Sequence, residues 1–415
     1  MTDSFLDSKA LEKQWVSDPR WRGVTRPYTA KDVVSLRNSI EIEHTLAKKG
    51  STKLWGLLNA KNSWISALGA VTGNQGVQMV KAGLKAIYLS GWQVAADANT
   101  QNTTYPDQSL YPSNSGPILA NKINNALLRA EQVDRVDGIQ TTDYLVPIIA
   151  DGESGFGGAL NIFELTKNYI ESGVSGVNYE DQHSTEKKCG HMGGKVIIPT
   201  QQHIKNLVAA RLASDVLNVP IVLIGRTDAF SAIYLSNDID KNDARFISNE
   251  RTEEGFYKIA NGEEIAIARA ISFAPYSDIL WCETPSPNLK FAKKFAKSIH
   301  EKYPNKILAY NCSPSFDWNG ELTKDEISSF QNELGDLGYK FQFISIAGFH
   351  SLNTSMFELA LNYKEKHLTA YAELQEKQKS LKEYGFTSSK HQREVGAEYY
   401  EKISMILSKS AKSES

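Results

Sequence analysis

The chain has 415 residues, of which 41% are hydrophobic and 23% are charged, values near the average for globular proteins. Its formal net charge of −2 excludes a strong overall attraction to nucleic acid or to an acidic membrane surface. There is no apolar run long enough to predict a transmembrane helix, and residues 1–15 lack the apolar core of a signal peptide. Three cysteines without a C-x-x-C pair favour a reducing, cytoplasmic location.

The middle of the chain repeats one pattern, a short β-branched apolar run that ends abruptly in polar residues. Continuous apolar runs are typical of strands buried on both faces, as in a parallel sheet. Seven runs predict strands, and 68–72 is a weaker eighth candidate. The seven are 84–89, 145–150, 174–179, 219–225, 278–282, 307–310 and 341–344. Helical patterns at 201–217, 263–273, 289–303 and 324–337 lie between them.

This alternation predicts an α/β fold, a (β/α)8 TIM-type barrel whose active site lies at the carboxyl ends of the strands. Residues 1–60 are predicted to be an N-terminal helical segment and 61–350 the catalytic barrel domain. Within the barrel, the Gly-rich stretch 182–200 is predicted to be a mobile catalytic loop, and 230–261 a charged surface excursion. Residues 351–415 are predicted to form a C-terminal helical region and an active-site lid. Its apolar face predicts packing against a neighbouring subunit.

Several carboxylates follow the predicted strands, where parallel strands would bring them together. They are Asp107, Asp151, Glu153 and Glu180. Clustered carboxylates repel one another, so a cation is expected among them. Oxygen ligands favour Mg²⁺, with Mn²⁺ as the alternative ion. Because Mg²⁺ retains several waters, we predict Asp151 as the direct ligand and the other three as ligands through water.

The segment Lys187-Lys188-Cys189-Gly190-His191 places a thiol beside basic groups. Such neighbours increase the thiolate fraction, so Cys189 is predicted to act as a nucleophile or as a general acid/base. A zinc site built from His183, Cys189 and His191 is the competing interpretation, although its spacing matches no standard zinc pattern.

A second group of residues suits a small substrate that carries several carboxylates. Positive charge would come from Arg226, Lys187, Lys188 and His191, and neutral hydrogen-bond donors are available at other strand ends. These donors are Asn311, Ser313, Ser315 and Ser345, and Glu283 ends the strand that precedes them.

The segment 187–192, KKCGHM, resembles the signature of the isocitrate lyase family, and similar segments extend from about residue 14 to 400. Examples are 88–93, 105–112, 193–196, 226–229, 309–316 and 391–396. The resemblance implies Mg²⁺-dependent cleavage of isocitrate to glyoxylate and succinate in the glyoxylate cycle. It also implies a homotetramer whose C-terminal helices are exchanged between subunits.

The resemblance assigns residues to the two ends of the substrate. Ser90, Gly91, Trp92 and Arg226 would hold the glyoxylate end. The succinate end would contact Gly190, His191, Asn311, Ser313 and Ser315, with a further contact from Ser345 where the family usually has threonine. Cys189 would be the catalytic acid/base. The base that takes the hydroxyl proton stays open between Tyr88 and a water held by Glu153 or Glu180.

A few positions depart from the family pattern. Asn178 stands where histidine is usual, and His183-Ser184 replaces Leu-Ala. Glu398 replaces a glycine of the lid, Ser154 an alanine and Asp317 an asparagine. Asn178, His183 and Glu398 leave open a non-catalytic protein that binds tricarboxylates. The nearest enzymatic alternative is the same cleavage of 2-methylisocitrate.

Overall fold

Eight parallel strands close into a barrel in the computed structural model, which describes residues 4–190 and 192–412. The strands in these residues are β1 (Ile65–Gly69), β2 (Ala86–Leu89), β3 (Ile148–Asp151), β4 (Gly176–Glu180), β5 (Val196–Ile197), β6 (Val222–Thr227), β7 (Tyr234–Leu235), β8 (Ile247–Arg251), β9 (Tyr257–Ile259), β10 (Ile279–Cys282), β11 (Ile307–Asn311) and β12 (Tyr339–Ile344).

Helices alternate with the barrel strands and extend the chain at both ends. Those in the described residues are α1 (Ser8–Ser17), α2 (Ala30–Ser35), α3 (Thr45–Leu58), α4 (Gly73–Lys81), α5 (Gly91–Gln93), α6 (Ser115–Val136), α7 (Ala159–Glu171), α8 (Thr200–Val216), α9 (Glu263–Phe273), α10 (Leu289–His300), α11 (Trp318–Glu321), α12 (Lys324–Asp336), α13 (Ala347–Lys366), α14 (Leu368–Ser380), α15 (His391–Glu394) and α16 (Ala397–Lys412).

The strand order around the barrel is β1-β2-β3-β4-β6-β10-β11-β12, and β12 pairs with β1 to close it. The predicted TIM-type barrel is therefore confirmed, and each of the seven main strand predictions overlaps a barrel strand. The weaker eighth prediction is displaced, because β1 begins at Ile65 rather than at residue 68. Only alternate residues of β1 are fully buried, which explains why its apolar run was hard to recognise.

Apolar side chains from every barrel strand except β4 pack in the barrel interior, in a cluster that includes Tyr88, Trp281 and Phe343. Leu54 and Leu58 of α3 belong to the same cluster. Because α3 lies at the amino ends of the strands, it closes that end of the barrel. The carboxyl ends therefore remain as the face on which a site can be built.

A second, four-stranded sheet covers part of the barrel in the order β5-β7-β9-β8. It occupies most of the stretch 230–261, which the sequence predicted as a charged excursion without assigning strands to it. Leu235, Phe246 and Ile259 form a small buried core beneath it. Strands of two to five residues give too short a pattern to be recognised from the sequence.

The C-terminal helices separate into two parts. Along α13, Met356, Phe357 and Leu361 are exposed, so this part of its apolar face is left uncovered by the residues that the structure describes. The end of the chain instead returns to α4 and α6, where Glu394 pairs with Lys81 and Arg393 pairs with Asp134. No helix within 4–190 or 192–412 combines the length and the apolar character needed to cross a membrane.

The buried His203 of α8 makes the stability of the folded chain depend on pH. Its ring is fully buried, both ring nitrogens lack a hydrogen-bond partner, and burial lowers its pKa to about 3. The unfolded chain therefore binds a proton below the ordinary pKa of about 6.5 while the folded chain does not, so stability falls as the pH drops below that value.

Between pH 7 and pH 5, we expect the free energy of unfolding of the wild type to fall by about 2 kcal/mol more than that of His203→Leu. Urea unfolding at the two pH values measures it, with His350→Leu, at an exposed histidine of α13, as the control. An unchanged difference in His203→Leu would show that this ring does not contribute to acid sensitivity.

Candidate active site

A cavity at the carboxyl ends of the barrel strands gathers most of the predicted site residues. Asp151 ends β3, Arg226 lies near the end of β6 and Asn311 ends β11. The lining residues are Tyr88, Ser90, Trp92, Asp107, Asp151, Cys189, Gly190, Arg226, Trp281, Glu283, Asn311, Ser313, Ser345 and Ile346. Its volume is about 30 Å³.

Asp151 is fixed by three hydrogen bonds. Its Oδ1 accepts from the main-chain N–H of Glu153 and from Nδ2 of Asn178, both at 2.9 Å, and its Oδ2 accepts from the N–H of Gly91 at 3.3 Å. Only glycine fits at position 91, since a Cβ there would lie 2.2 Å from the Glu153 carboxylate. Oδ2 accepts only this one long hydrogen bond, which leaves it a lone pair for a cation.

Lys187 reaches from the signature segment into the carboxylates. Its ammonium pairs with Asp107 and with Glu153, and Tyr111 donates a hydrogen bond to the same glutamate. Burial and the neighbouring Asp107 raise the pKa of Glu153 to about 8, although Lys187 opposes the shift. Glu153 also has a left-handed backbone with φ of 54°, which is uncommon for a residue with a side chain.

The donor set fits a divalent cation bound mainly through water. Two cations, Lys187 and Arg226, lie among the four carboxylates of Asp107, Asp151, Glu153 and Glu180. Among the described residues, Glu180 Oε1 is buried without a hydrogen-bond partner. Burial raises the pKa of Glu180, as expected where negative charge is incompletely compensated. No three His, Cys, Asp or Glu side chains in the described parts of the chain converge on one point. The zinc alternative stays untested, because His191, one of its three proposed ligands, lies outside the described residues.

Arg226 is the centre of the buried charge network. It pairs with Glu180 at 3.0 Å, with Asp228 at 2.9 Å and with Glu283 at 3.9 Å, and its guanidinium stacks on Trp281. Burial lowers the pKa of Arg226, but these carboxylates outweigh burial and raise it overall. The side chain is therefore a fixed cation that faces the cavity.

The signature segment lies over the cavity. Cys189 is half-buried and lines it, whereas Cys282 and Cys312 are buried. Gly190 approaches so closely that a Cβ would lie 2.9 Å from both Arg226 and Glu283. The prediction for His191 lies outside the described residues.

The neutral donors divide into two groups. Ser90, Asn311, Ser313 and Ser345 line the cavity, and Asn311 Oδ1 is buried without a hydrogen-bond partner. Ser315 is exposed and is not part of the lining. Lys188 also lies outside it and lines a separate surface groove with Glu186 and Glu253.

Tyr88 and Asn178 form a relay to Asp151. The Tyr88 hydroxyl donates to Asn178 Oδ1 at 3.1 Å, and Asn178 Nδ2 donates to Asp151. Burial, with Asp151 nearby, raises the pKa of Tyr88 well above its usual value. The side chain is therefore a neutral donor, a state that disfavours Tyr88 as the base.

Sequence patterns missed several residues of the site. Trp281 lies inside the predicted strand 278–282, and no role in the site was assigned to it from the sequence. Gln182, Lys195 and Asp228 are fully buried around the signature segment, and each makes side-chain hydrogen bonds near it. Charged residues beside a Gly-rich loop are the one signal that could have identified Lys195 and Asp228.

The model of one protein family matches residues 8–250 and 248–414, and its description is "Isocitrate lyase family". The chain belongs to the isocitrate lyase family. It is 56% identical to an isocitrate lyase of Halalkalibacterium halodurans over 96% of this chain and 93% of that protein. It is 53% identical to an isocitrate lyase of Mycobacterium tuberculosis over 96% of this chain and 94% of that one. Membership of this family makes the chain a carbon–carbon lyase.

Two solved structures share the fold at low sequence identity. An oxaloacetate acetylhydrolase has a TM-score of 0.57 at 19% identity and covers 83% of this chain and 99% of its own. A 2,3-dimethylmalate lyase of the phosphoenolpyruvate mutase/isocitrate lyase superfamily also has a TM-score of 0.57, at 20% identity, with 85% and 94% covered. Both support the barrel architecture alone.

Proposed function

We propose that this chain cleaves the C2–C3 bond of isocitrate to give glyoxylate and succinate, with Mg²⁺ as the cofactor and Cys189 as the catalytic acid. The observation that carries the proposal is the meeting of Cys189, Arg226 and the Asp151 carboxylate in one cavity. A thiol, a fixed cation and a cation-binding carboxylate are the three parts that this reaction needs. The resemblance implies a divalent ion, and Mn²⁺ is the alternative to Mg²⁺.

Asp151 would hold the metal ion directly, and Asp107, Glu153 and Glu180 would hold its waters. When bound, the ion would polarise the substrate hydroxyl and the adjacent carboxylate. Lys187 supplies part of the positive charge that these carboxylates require. Its contacts with Asp107 and Glu153 leave Asp151 available as the direct ligand.

Bond cleavage leaves an electron pair on the carbon beside a carboxylate of the departing succinate. That charge must spread into the carboxylate, and preorganised donors stabilise it. Asn311, Ser313 and Ser345 line the cavity and would supply such donors, and Arg226 would hold the glyoxylate end with Ser90 and Trp92.

Cys189 would give its thiol proton to this carbon, which completes succinate. The matching proton leaves the substrate hydroxyl. Because Tyr88 already donates its own proton to Asn178, a water held by Glu180 is the better candidate for the base. The free Oε1 of Glu180 supports this assignment.

Part of the segment 182–200, around Cys189 and Gly190, would have to move for the reaction to begin. A cavity of about 30 Å³ is well below the roughly 300–1,000 Å³ that is typical of pockets for small-molecule ligands. Gly190 and Cys189 lie over it, so displacement of this segment is the simplest route of entry. Closure would then exclude the water that would quench the carbanion.

We also propose a homotetramer with exchanged C-terminal helices and a cytoplasmic location, without a nucleic-acid or membrane partner. The exposed apolar face of α13 supports an assembly. Arg393 binds Asp134 near the carboxyl end of α6, which lies at the end of the barrel away from the cavity. A lid formed by this segment would therefore act on a neighbouring subunit. The domain limits 1–60, 61–350 and 351–415 remain predictions.

A comparison of two substrates tests the proposed function. We expect kcat/KM for isocitrate to exceed that for 2-methylisocitrate by about tenfold or more, because one extra methyl must fit against Trp92 and Trp281. Release of glyoxylate from the first and of pyruvate from the second is the measurement. A higher kcat/KM for 2-methylisocitrate would mean that this compound, and not isocitrate, is the substrate. Tight binding of isocitrate without release of either product would favour the non-catalytic alternative.

A further inference from the structure

The residues on either side of Cys189 are each held by a buried side chain. On one side, Gln182 Nε2 donates to the carbonyl of Lys188 at 2.9 Å, and the N–H of Lys188 donates to Gln182 Oε1 at 3.0 Å. Gln182 is 1% exposed. Because one carboxamide both donates to and accepts from the Lys188 backbone, it fixes the position and the orientation of that backbone.

On the other side, Lys195 holds the carbonyl of Gly190. Its Nζ donates to that oxygen at 2.7 Å and to Asp228 Oδ1 at 2.8 Å, and the side chain is fully buried. Away from water, an ammonium group strongly favours such charge-assisted hydrogen bonds. The carbonyl of Gly190 is therefore connected to a carboxylate of the barrel.

The same carboxylate also binds Arg226. Asp228 accepts from Arg226 Nε at 2.9 Å and from Nη2 at 3.1 Å, so it lies between two cations. Burial would raise the pKa of Asp228, but Arg226 and Lys195 lower it, so the group is ionised. A continuous path thus runs from the Gly190 carbonyl through Lys195 and Asp228 to Arg226.

The barrel side of both contacts is rigid. Asp181, next to Gln182, accepts from the Thr227 hydroxyl at 2.7 Å and from Arg269 at 2.8 Å. It also accepts from the N–H of Asp228 at 2.8 Å. The ends of β4 and β6 are therefore joined. Gln182 extends directly from this joined base, and Lys195, which precedes β5, is bound to it through Asp228.

We propose that Gln182 and Lys195 are positioning residues that together set the place of the Cys189 thiol relative to Arg226. Neither lines the cavity, so each acts through the backbone of the signature segment. The inference deepens the proposed function, since it assigns the geometry on which proton delivery by Cys189 depends. Lys195 further makes closure of the segment depend on the same carboxylate that orients the substrate-binding arginine.

Thiol alkylation tests the positioning without any turnover. Cys282 and Cys312 are buried, so iodoacetamide reports mainly on Cys189. We expect Lys195→Met to increase the alkylation rate of the unliganded protein by about tenfold, because the loss of a hydrogen bond to a charged group favours the open segment to that extent. Gln182→Met should act in the same direction, and Lys290→Met, at an exposed lysine of α10, is the matched control.

Steady-state kinetics provides the second readout. Both variants are expected to lower kcat for isocitrate by at least about tenfold with a smaller change in KM, because misplacement of the acid affects proton delivery more than binding. Asp228 keeps Arg226 as a partner in Lys195→Met, so no buried carboxylate is left without a counter-ion. If that variant nevertheless fails to fold, Gln182→Met decides the question alone.

Unchanged alkylation and an unchanged kcat in a folded variant would overturn the proposal. A wild-type protein that releases no glyoxylate would instead overturn the proposed function. In that case the alkylation comparison still decides whether the two side chains position the segment, so the two failures are distinguishable.

Discussion

Replacement of Cys189 with serine is expected to lower kcat for isocitrate cleavage by about a thousandfold. A serine hydroxyl is a much weaker acid than a thiol, so it delivers its proton poorly to the carbon that leaves as succinate. Size and burial change little, and Arg226 and the neutral donors are untouched. Binding of isocitrate, measured by calorimetry, should therefore stay within about threefold of the wild-type value.

Cys312→Ser is the matched control for this experiment. The Cys312 thiol is buried in the layer between strands and helices, where Gln331 lies 3.8 Å from the sulfur, and it does not line the cavity. Its substitution should leave kcat unchanged. If Cys189→Ser retained full activity, the acid would have to be another group, and the assignment of the signature segment would be wrong.

Replacement of Asp151 with asparagine is the other change with a very large expected effect. The amide keeps the shape of the side chain but removes the negative charge that a divalent ion requires. We expect Mn²⁺ affinity to fall by about a hundredfold and kcat by about a thousandfold. Calorimetric titration of the metal-free protein with Mn²⁺ measures the first effect independently of turnover.

Asp143→Asn serves as the control for the metal experiment. Asp143 is an exposed carboxylate that pairs with Lys53 on the protein surface. It precedes β3, whereas Asp151 lies at the carboxyl end of that strand. Its loss should change neither metal affinity nor activity. If Asp151→Asn bound Mn²⁺ as tightly as the wild type, the direct ligand would have to be another of the four carboxylates.

The barrel could be predicted because its strands are buried on both faces. Six of the eight barrel strands, including β2, β4 and β10, have every residue buried, so their apolar runs are continuous and end sharply. By contrast, β1 alternates in burial, and its prediction was displaced. The strands of the second sheet were missed because their burial depends on contacts with segments distant in sequence.

The site could be predicted where a residue's position follows from the strand that carries it. Asp151, Arg226 and Asn311 end or nearly end barrel strands, and parallel strands bring such ends together. Contacts between side chains on separate long loops could not be predicted in this way. The pairing of Lys187 with Asp107 joins segments 80 residues apart, and the outward position of Lys188 depends on the path of the signature segment.

The most direct test of the central claim is the release of glyoxylate from isocitrate by the purified protein, first with Mg²⁺, then with a chelator, and then with Mg²⁺ restored. We predict release with the ion, loss of at least about 99% of the rate in the chelator and full recovery on restoration, because the ion polarises the bond that breaks. Glyoxylate release that continues unchanged in the chelator would contradict the role given to the Asp151 cluster. No release under any of the three conditions, from a folded protein that binds isocitrate, would contradict the reaction itself.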